Sequence, residues 1–161
     1  MCRRVRYGRT KADERRRTKA EWLRVLVIDD EPDVLLLCKV NFEFAGHEVL
    51  EALDGERGMA LAAAERPDLI VLDVMLPARD GISILRQLGA TPETSGTPVV
   101  LLTAKAQAGD QLTGWEAGAV EYVTKPFSPV ALTALVERVA RMTVEERAEH
   151  RDEALRQLRR P

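Results

Sequence analysis

Three runs of four consecutive apolar residues, Val25-Leu-Val-Ile28, Leu69-Ile-Val-Leu72 and Val99-Val-Leu-Leu102, restrict this chain more than any other feature. A strand with one face in water alternates apolar and polar side chains, whereas an unbroken run is buried on both faces. Such strands need helices above and below, which points to a parallel sheet. The intervening segments have helical spacing. Pro32 suits a first helical turn, and Val34, Leu35, Leu37, Cys38, Phe42 and Ala45 follow on one side until Gly46. Cys38 reads as core. Asp54-Gly55 opens an Ala-rich helix to about Glu65, and Asp80 caps one from Gly81 or Ile82 to about Leu88, followed by a loop over 89–97. A weaker pattern broken by Gly109 and Gly114 covers roughly 107–117, and Ser128 with Pro129 starts a helix carrying Leu132, Leu135, Val136 and Val139. His47 to Ala52 and Ala119 to Thr124 supply two further strands. Five strand–helix alternations predict an α/β fold: a doubly wound five-stranded parallel sheet with right-handed crossovers and five helices on its two faces.

A chain of 161 residues with 45% hydrophobic composition has room for one such domain, expected over 23–142, and for two short extensions. Residues 1–22 hold nine basic and three acidic residues, and read as a mostly disordered basic arm with a fraying helix over 12–20. Residues 143–161 balance five of each charge, which leaves 23–142 with a net charge of -8. A domain this acidic is a poor nucleic-acid binder, since phosphate contacts need clustered Lys and Arg. Thr143-Val-Glu-Glu146 has capping-box spacing, so an extra C-terminal helix is expected, solvated or acting as a linker because Val144, Ala148, Leu155 and Leu158 form only a thin stripe. Two cysteines and no apolar run of membrane-spanning length fit a reducing cytoplasm. His47, just after a helix-ending glycine, reads as a solvated or backbone-bonded imidazole rather than a metal ligand.

In parallel α/β sheets, ligands bind beyond the carboxyl ends of the strands. Here those ends carry Asp29-Asp30, Asp73, Thr103 and Lys125. Close carboxylates repel by roughly 4 kcal/mol per pair at an effective dielectric near 20, and a hard divalent cation relieves them. Mg²⁺ keeps several waters and needs one or two carboxylates, which suits a shallow sheet edge. Asp73 is then placed to attack a phosphoryl group, with Mg²⁺ and Lys125 neutralising its oxygens and Thr103 donating a hydrogen bond.

The segments 25–33 (Val-Leu-Val-Ile-Asp-Asp-Glu-Pro-Asp), 72–81 (Leu-Asp-Val-Met-Leu-Pro-Ala-Arg-Asp-Gly), 98–105 (Pro-Val-Val-Leu-Leu-Thr-Ala-Lys) and 116–127 (Glu-Ala-Gly-Ala-Val-Glu-Tyr-Val-Thr-Lys-Pro-Phe) resemble the receiver domains of two-component response regulators. The resemblance implies a flavodoxin-like fold with strand order 2-1-3-4-5. It further implies that Asp73 takes a phosphoryl group from a sensor histidine kinase or phosphotransfer protein. Asp30 would bind Mg²⁺ directly, Asp29 largely through water, and the backbone carbonyl of Met75 would complete the protein ligands. The Lys125-Pro126 bond is expected to be cis, and Thr103 and Tyr122 to form a switch read out through the fourth helix, fifth strand and fifth helix. Such a protein is no enzyme beyond its own phosphorylation and dephosphorylation at Asp73. Its expected partners are the phosphodonor and a downstream protein or second copy, with no direct DNA contact and no membrane span. Two alternatives stay open: a receiver module of a larger regulator, and an unphosphorylated receiver-like scaffold. Ala78-Arg79 departs from the family's common Gly-hydrophobic pair beside the site.

Overall fold

The computed structural model describes residues 22–104 and 107–161. The expected arm at 1–22 therefore lies almost wholly outside the described residues. Elements follow in the order β1 (Arg24–Ile28), α1 (Pro32–Phe44), β2 (Glu48–Ala52), α2 (Gly55–Glu65), β3 (Leu69–Asp73), α3 (Gly81–Ala90), β4 (Val99–Thr103), α4 (Ala108–Glu116), β5 (Glu121–Thr124), α5 (Pro129–Arg141) and α6 (Val144–Leu158). All strands pair in parallel in the order β2-β1-β3-β4-β5.

The apolar runs are buried on both faces, and residue parity divides them. Val25, Val27, Leu69, Val71, Val100 and Leu102 pack with Leu35, Cys38 and Phe42 of α1 and Leu132, Val136 and Val139 of α5. Leu26, Ile28, Ile70, Leu72, Val99 and Leu101 pack on the other side with Ala62 of α2 and Ile82, Ile84, Leu85 and Leu88 of α3. Leu72 is fully buried, so truncating it to Ala would cost about 3 kcal/mol. Cys38 is core, as its spacing implied, and burial pushes its thiol up to about 12.

Helix starts follow local chemistry. Asp54, Asp80 and Ser128 each accept a hydrogen bond from a first-turn N–H, and the Thr143 capping box forms in full with Glu146. Helix α3 runs two residues past its expected end, to Ala90, and buried Thr94 donates to the carbonyl of Leu88 to close the following turn. Strand β5 begins later than its apolar pattern implied. The Ala119 N–H is taken by Gly114 O and Gly118 has φ 110°, so the chain is still leaving α4 there. His47 is backbone-bonded, accepting from the Leu23 N–H at Nδ1 (3.1 Å), but it is not solvated: its Nε2 meets Glu137 Oε1 at 2.8 Å.

Helix α6 departs most from expectation. It is neither a free linker nor an apolar-stripe helix, but folds back against α4. Val144 is exposed and no α6 residue is fully buried; Ala148, Leu155 and Leu158 are half-buried, and polar and aromatic contacts add to them. His150 Nε2 lies 2.9 Å from Glu121 Oε2, Arg159 Nη2 donates to Glu116 Oε1 at 2.8 Å, and Trp115 meets the His150 ring edge-on at 5.6 Å.

Candidate functional site

Register assembles the site. Ile28 pairs with Leu72 and Asp73 with Leu102, so the next residues of β1 and β4, Asp29 and Thr103, emerge on either side of Asp73. Thr103 pairs in turn with Thr124, and the Lys125 N–H donates to Thr103 O at 2.7 Å. The Lys125-Pro126 bond is cis.

Oxygens of Asp29, Asp30 and Asp73 all lie within 4.8 Å of one another. Lys125 Nζ reaches into this group, 2.9 Å from Asp29 Oδ2 and 3.2 Å from Asp73 Oδ2. It also donates to Glu31 Oε1 at 3.0 Å. Burial acts to lower the Lys125 pKa, but its close ion pair with Asp29, its bond to Glu31 and the charge of Asp73 outweigh that and hold it above the ordinary lysine value. The ammonium therefore stays charged. Asp29 shows the converse: burial, helped by the charge of Asp73, raises its carboxyl above the usual range against the pull of Lys125 and the Glu31 N–H.

Backbone donors fix both main carboxylates. The Glu31 N–H donates to Asp29 Oδ1 and the Met75 N–H to Asp73 Oδ1, each at 2.9 Å. Asp29 Oδ2 is fully buried and has no hydrogen-bond partner among the described residues; Lys125 is close, but at an angle unsuited to a hydrogen bond. Three carboxylates with oxygens this close are the donor set a hard cation or its bound water satisfies. The residues thus fit a divalent metal.

Gly81 permits this geometry. A Cβ there would overlap the carbonyl oxygen of Asp73 and crowd Val74 Cα, so only glycine lets α3 start against the end of β3. An isolated bridge between Met75 and Asp80 closes the loop beside the site.

Sequence similarity then settles the family. The model of the response regulator receiver domain matches residues 25–137. The chain belongs to that family. Receivers of this family are signalling modules rather than typical enzymes. This receiver is 42% identical over 120 residues to the DNA-binding dual master transcriptional regulator RpaA of Synechocystis sp., covering 74% of this chain and 50% of RpaA. It is 44% identical over 118 residues to the alkaline phosphatase synthesis transcriptional regulatory protein PhoP of Bacillus subtilis, covering 73% of this chain and 48% of PhoP. The chain thus spans about half the length of these relatives. Among solved structures, the receiver resembles chemotaxis protein CheY4 of Vibrio cholerae, with a TM-score of 0.69, 29% identity, and coverage of 72% of this chain and 97% of CheY4. No helix among the described residues is long and apolar enough to cross a membrane.

The structure brings Asp29, Asp30, Asp73 and Lys125 together and sets Thr103 on the neighbouring strand end. Tyr122 lies one strand further, hydrogen-bonded to the Thr103 side chain; burial raises its pKa, aided by Asp110 and opposed by that bond. Met75 has an exposed side chain, and its backbone is pinned to Asp73. Sequence reasoning missed Glu31 as a partner of Lys125. Its signal was the third acid in Asp29-Asp30-Glu31, directly before the helix start at Pro32.

Proposed function

We propose that residues 23–142 act as a phosphorylation switch, with Asp73 accepting a phosphoryl group from a phosphohistidine on a sensor kinase or phosphotransfer protein. The observation that carries this reading is Lys125 reaching both Asp29 and Asp73 inside a cluster of three carboxylates. Asp73 Oδ1 is held by the Met75 N–H while Oδ2 faces Lys125, so one oxygen is anchored and the other is aimed as the nucleophile. Attack forms the acyl phosphate and releases the neutral imidazole of the donor. Lys125 carries its charge to the transferred oxygens, and Thr103 offers them its hydroxyl hydrogen.

Asp30 and Asp73, with the carbonyl of Met75, would hold Mg²⁺, Asp29 joining largely through water. The ion would supply charge neutralisation for both the carboxylates and the phosphoryl group. Hydrolysis of the acyl phosphate returns the switch to rest. That cycle, from a histidine or a small phosphodonor, is the only chemistry proposed. Output is by contact with a protein partner or a second copy through α4, β5 and α5; the net charge of -8 over 23–142 argues against this part holding DNA. A cytoplasmic location fits such a relay.

A second reading has its own support. Because the chain spans about half of relatives named as transcriptional regulators, it also fits the receiver module of a longer regulator. The test of the switch is transfer from a phosphorylated histidine protein, followed on a phosphate-retarding gel. A retarded band with Mg²⁺ that disappears with chelator and in Asp73→Asn is expected. No band with wild type under any divalent ion would favour an unphosphorylated scaffold.

A further inference from the structure

The amino edge of the sheet carries charges of its own, opposite in sign to the carboxylates at the other edge. Leu23, Asp68 and Pro98 immediately precede β1, β3 and β4, and parallel pairing brings them to one end of the molecule. There they line a crevice of about 600 Å³ bounded by the start of α6, with Arg66, Arg141 and Arg147 in the same wall. Among the described residues neither Arg66 nor Arg141 gives its guanidinium an ion pair or a hydrogen bond, and Arg147 has only a long 3.5 Å bond to the carbonyl of Gly96. Asp68 is the one acid among the lining residues, and its Oδ2 already accepts from the Arg24 N–H at 2.8 Å.

Arg66 is held there against its backbone preference. Among the described residues it is the only one other than glycine with positive φ (45°), and it ends α2 where α1 and α4 end on Gly46 and Gly118. Glycine takes such a backbone without steric penalty, and a cation can complement a helix end from the last turn without strain. No ion pair or hydrogen bond of the Arg66 side chain offsets the strain within the described residues, which points to a ligand outside the chain. The crevice states which kind. Three arginines less the charge of Asp68 leave two positive charges, and a phosphomonoester carries about -2 at neutral pH. Guanidinium forks match phosphate oxygens and also stack on aromatic faces. The volume is that of a small-molecule site and far exceeds a bare phosphate, while buried Leu23, Pro67 and Pro98 and half-buried Met142 give it an apolar floor.

We propose that this crevice binds a small phosphomonoester with an aromatic body, its phosphate taken by Arg66, Arg141 and Arg147 and its ring laid on the apolar floor. These arginines belong to the turn between α2 and β3, to the end of α5 and to α6, so an occupied crevice ties α6 to the domain. The site lies at the opposite end of the strands from Asp73 and needs nothing of the phosphoacceptor.

The test titrates the isotopically labelled full chain with phenyl phosphate and follows its amide signals by NMR. A chelator is present throughout, so that no divalent ion draws phosphate to the carboxyl edge. Saturable shifts of the Leu23, Asp68 and Gly96 amides are expected, with those of Asp29, Asp73 and Met75 unmoved. Inorganic phosphate, which lacks the ring, should bind about tenfold more weakly or worse. So should phthalate, an aromatic dianion whose charges sit on two separate carboxylates. Arg66→Gly with Arg141→Ala should weaken phenyl phosphate binding by about tenfold or more. Both side chains are exposed and glycine suits the backbone at 66, so this variant keeps its fold, checked by circular dichroism. Absence of saturable shifts, shifts centred on Asp73, equal affinity for inorganic phosphate or phthalate, or undiminished binding by the double variant would each overturn the proposal. None of these results would touch the reading of Asp73.

Discussion

At the carboxyl edge of the sheet, Lys125 meets Asp29 and Asp73, whose side chains are 0% and 3% exposed, while the Arg159–Glu116 pair that tethers α6 is 58% and 48% exposed. The same pairing of opposite charges therefore has different worth in the two places. Buried, it is a tense arrangement in which removal of one partner strands the others in low dielectric, and an incoming cation or phosphoryl group changes the balance strongly. Exposed, it is screened and nearly neutral in free energy, which suits a contact made to be broken. One region is held by buried charge and the other by partly exposed contacts.

Lys125→Ala should break this contrast most severely. Leaving Asp29 and Asp73 without their cation should cost about 3 kcal/mol at neutral pH, measured by urea denaturation. The sign with pH follows from both partners. Lys125 has its pKa raised by folding, so its stabilisation is complete below about pH 10.4 and is lost only as pH rises through the folded value. Asp29 is also raised, so stability falls as pH climbs from about 3.9, its unfolded value, to its folded one. Without Lys125 that fall should steepen, and the variant should approach wild type at acid pH. Added Mg²⁺ should recover part of the loss at neutral pH.

Gly81→Ala tests the same edge through backbone alone. The new methyl must displace the Asp73 carbonyl or α3, at a cost of about 2 kcal/mol. Mg²⁺ affinity, followed by calorimetry, should fall with it even though no charge has changed. Thr143→Ala moves to the other region. Loss of the capping box should weaken α6 by about 1 kcal/mol, seen as faster amide hydrogen exchange over 144–158 while β1 and β3 amides keep their protection. Smallest is Arg159→Ala, expected to change global stability by about 0.5 kcal/mol or less and to lose even that in high salt. A Lys125→Ala effect as small as that of Arg159→Ala would erase the distinction between the two regions.

Much of the carboxyl-edge region was legible in the residues. Unbroken apolar runs demanded cover on both faces, and a parallel sheet aligns strand ends, so Asp29-Asp30, Asp73, Thr103 and Lys125 had to converge. Glu31 escaped because an acid before Pro32 already has a sufficient explanation as a helix-start charge, and nothing in its spacing tells that Lys125 lies within reach. The α6 region was legible only as a helix. Its start is written locally in Thr143 and Glu146, but its resting place depends on Trp115, Glu116 and Glu121, which are distant in sequence and have no period in common with His150 and Arg159. A thin apolar stripe does not say where it docks; a seam of one indole, one imidazole and ion pairs to distant acids says no more. His47 follows the same rule, since its turn position predicted a backbone bond while Glu137, which completes its burial, lies far along the chain.

The most direct test of the account is to phosphorylate the full chain with acetyl phosphate and Mg²⁺, reduce the product with borohydride, and map the modified peptide by mass spectrometry. Conversion of Asp73 to homoserine, with Asp29, Asp30 and Glu31 unmodified, is the predicted result. A phosphoryl group located on any other residue, or none on Asp73 while Mg²⁺ is bound, would contradict it.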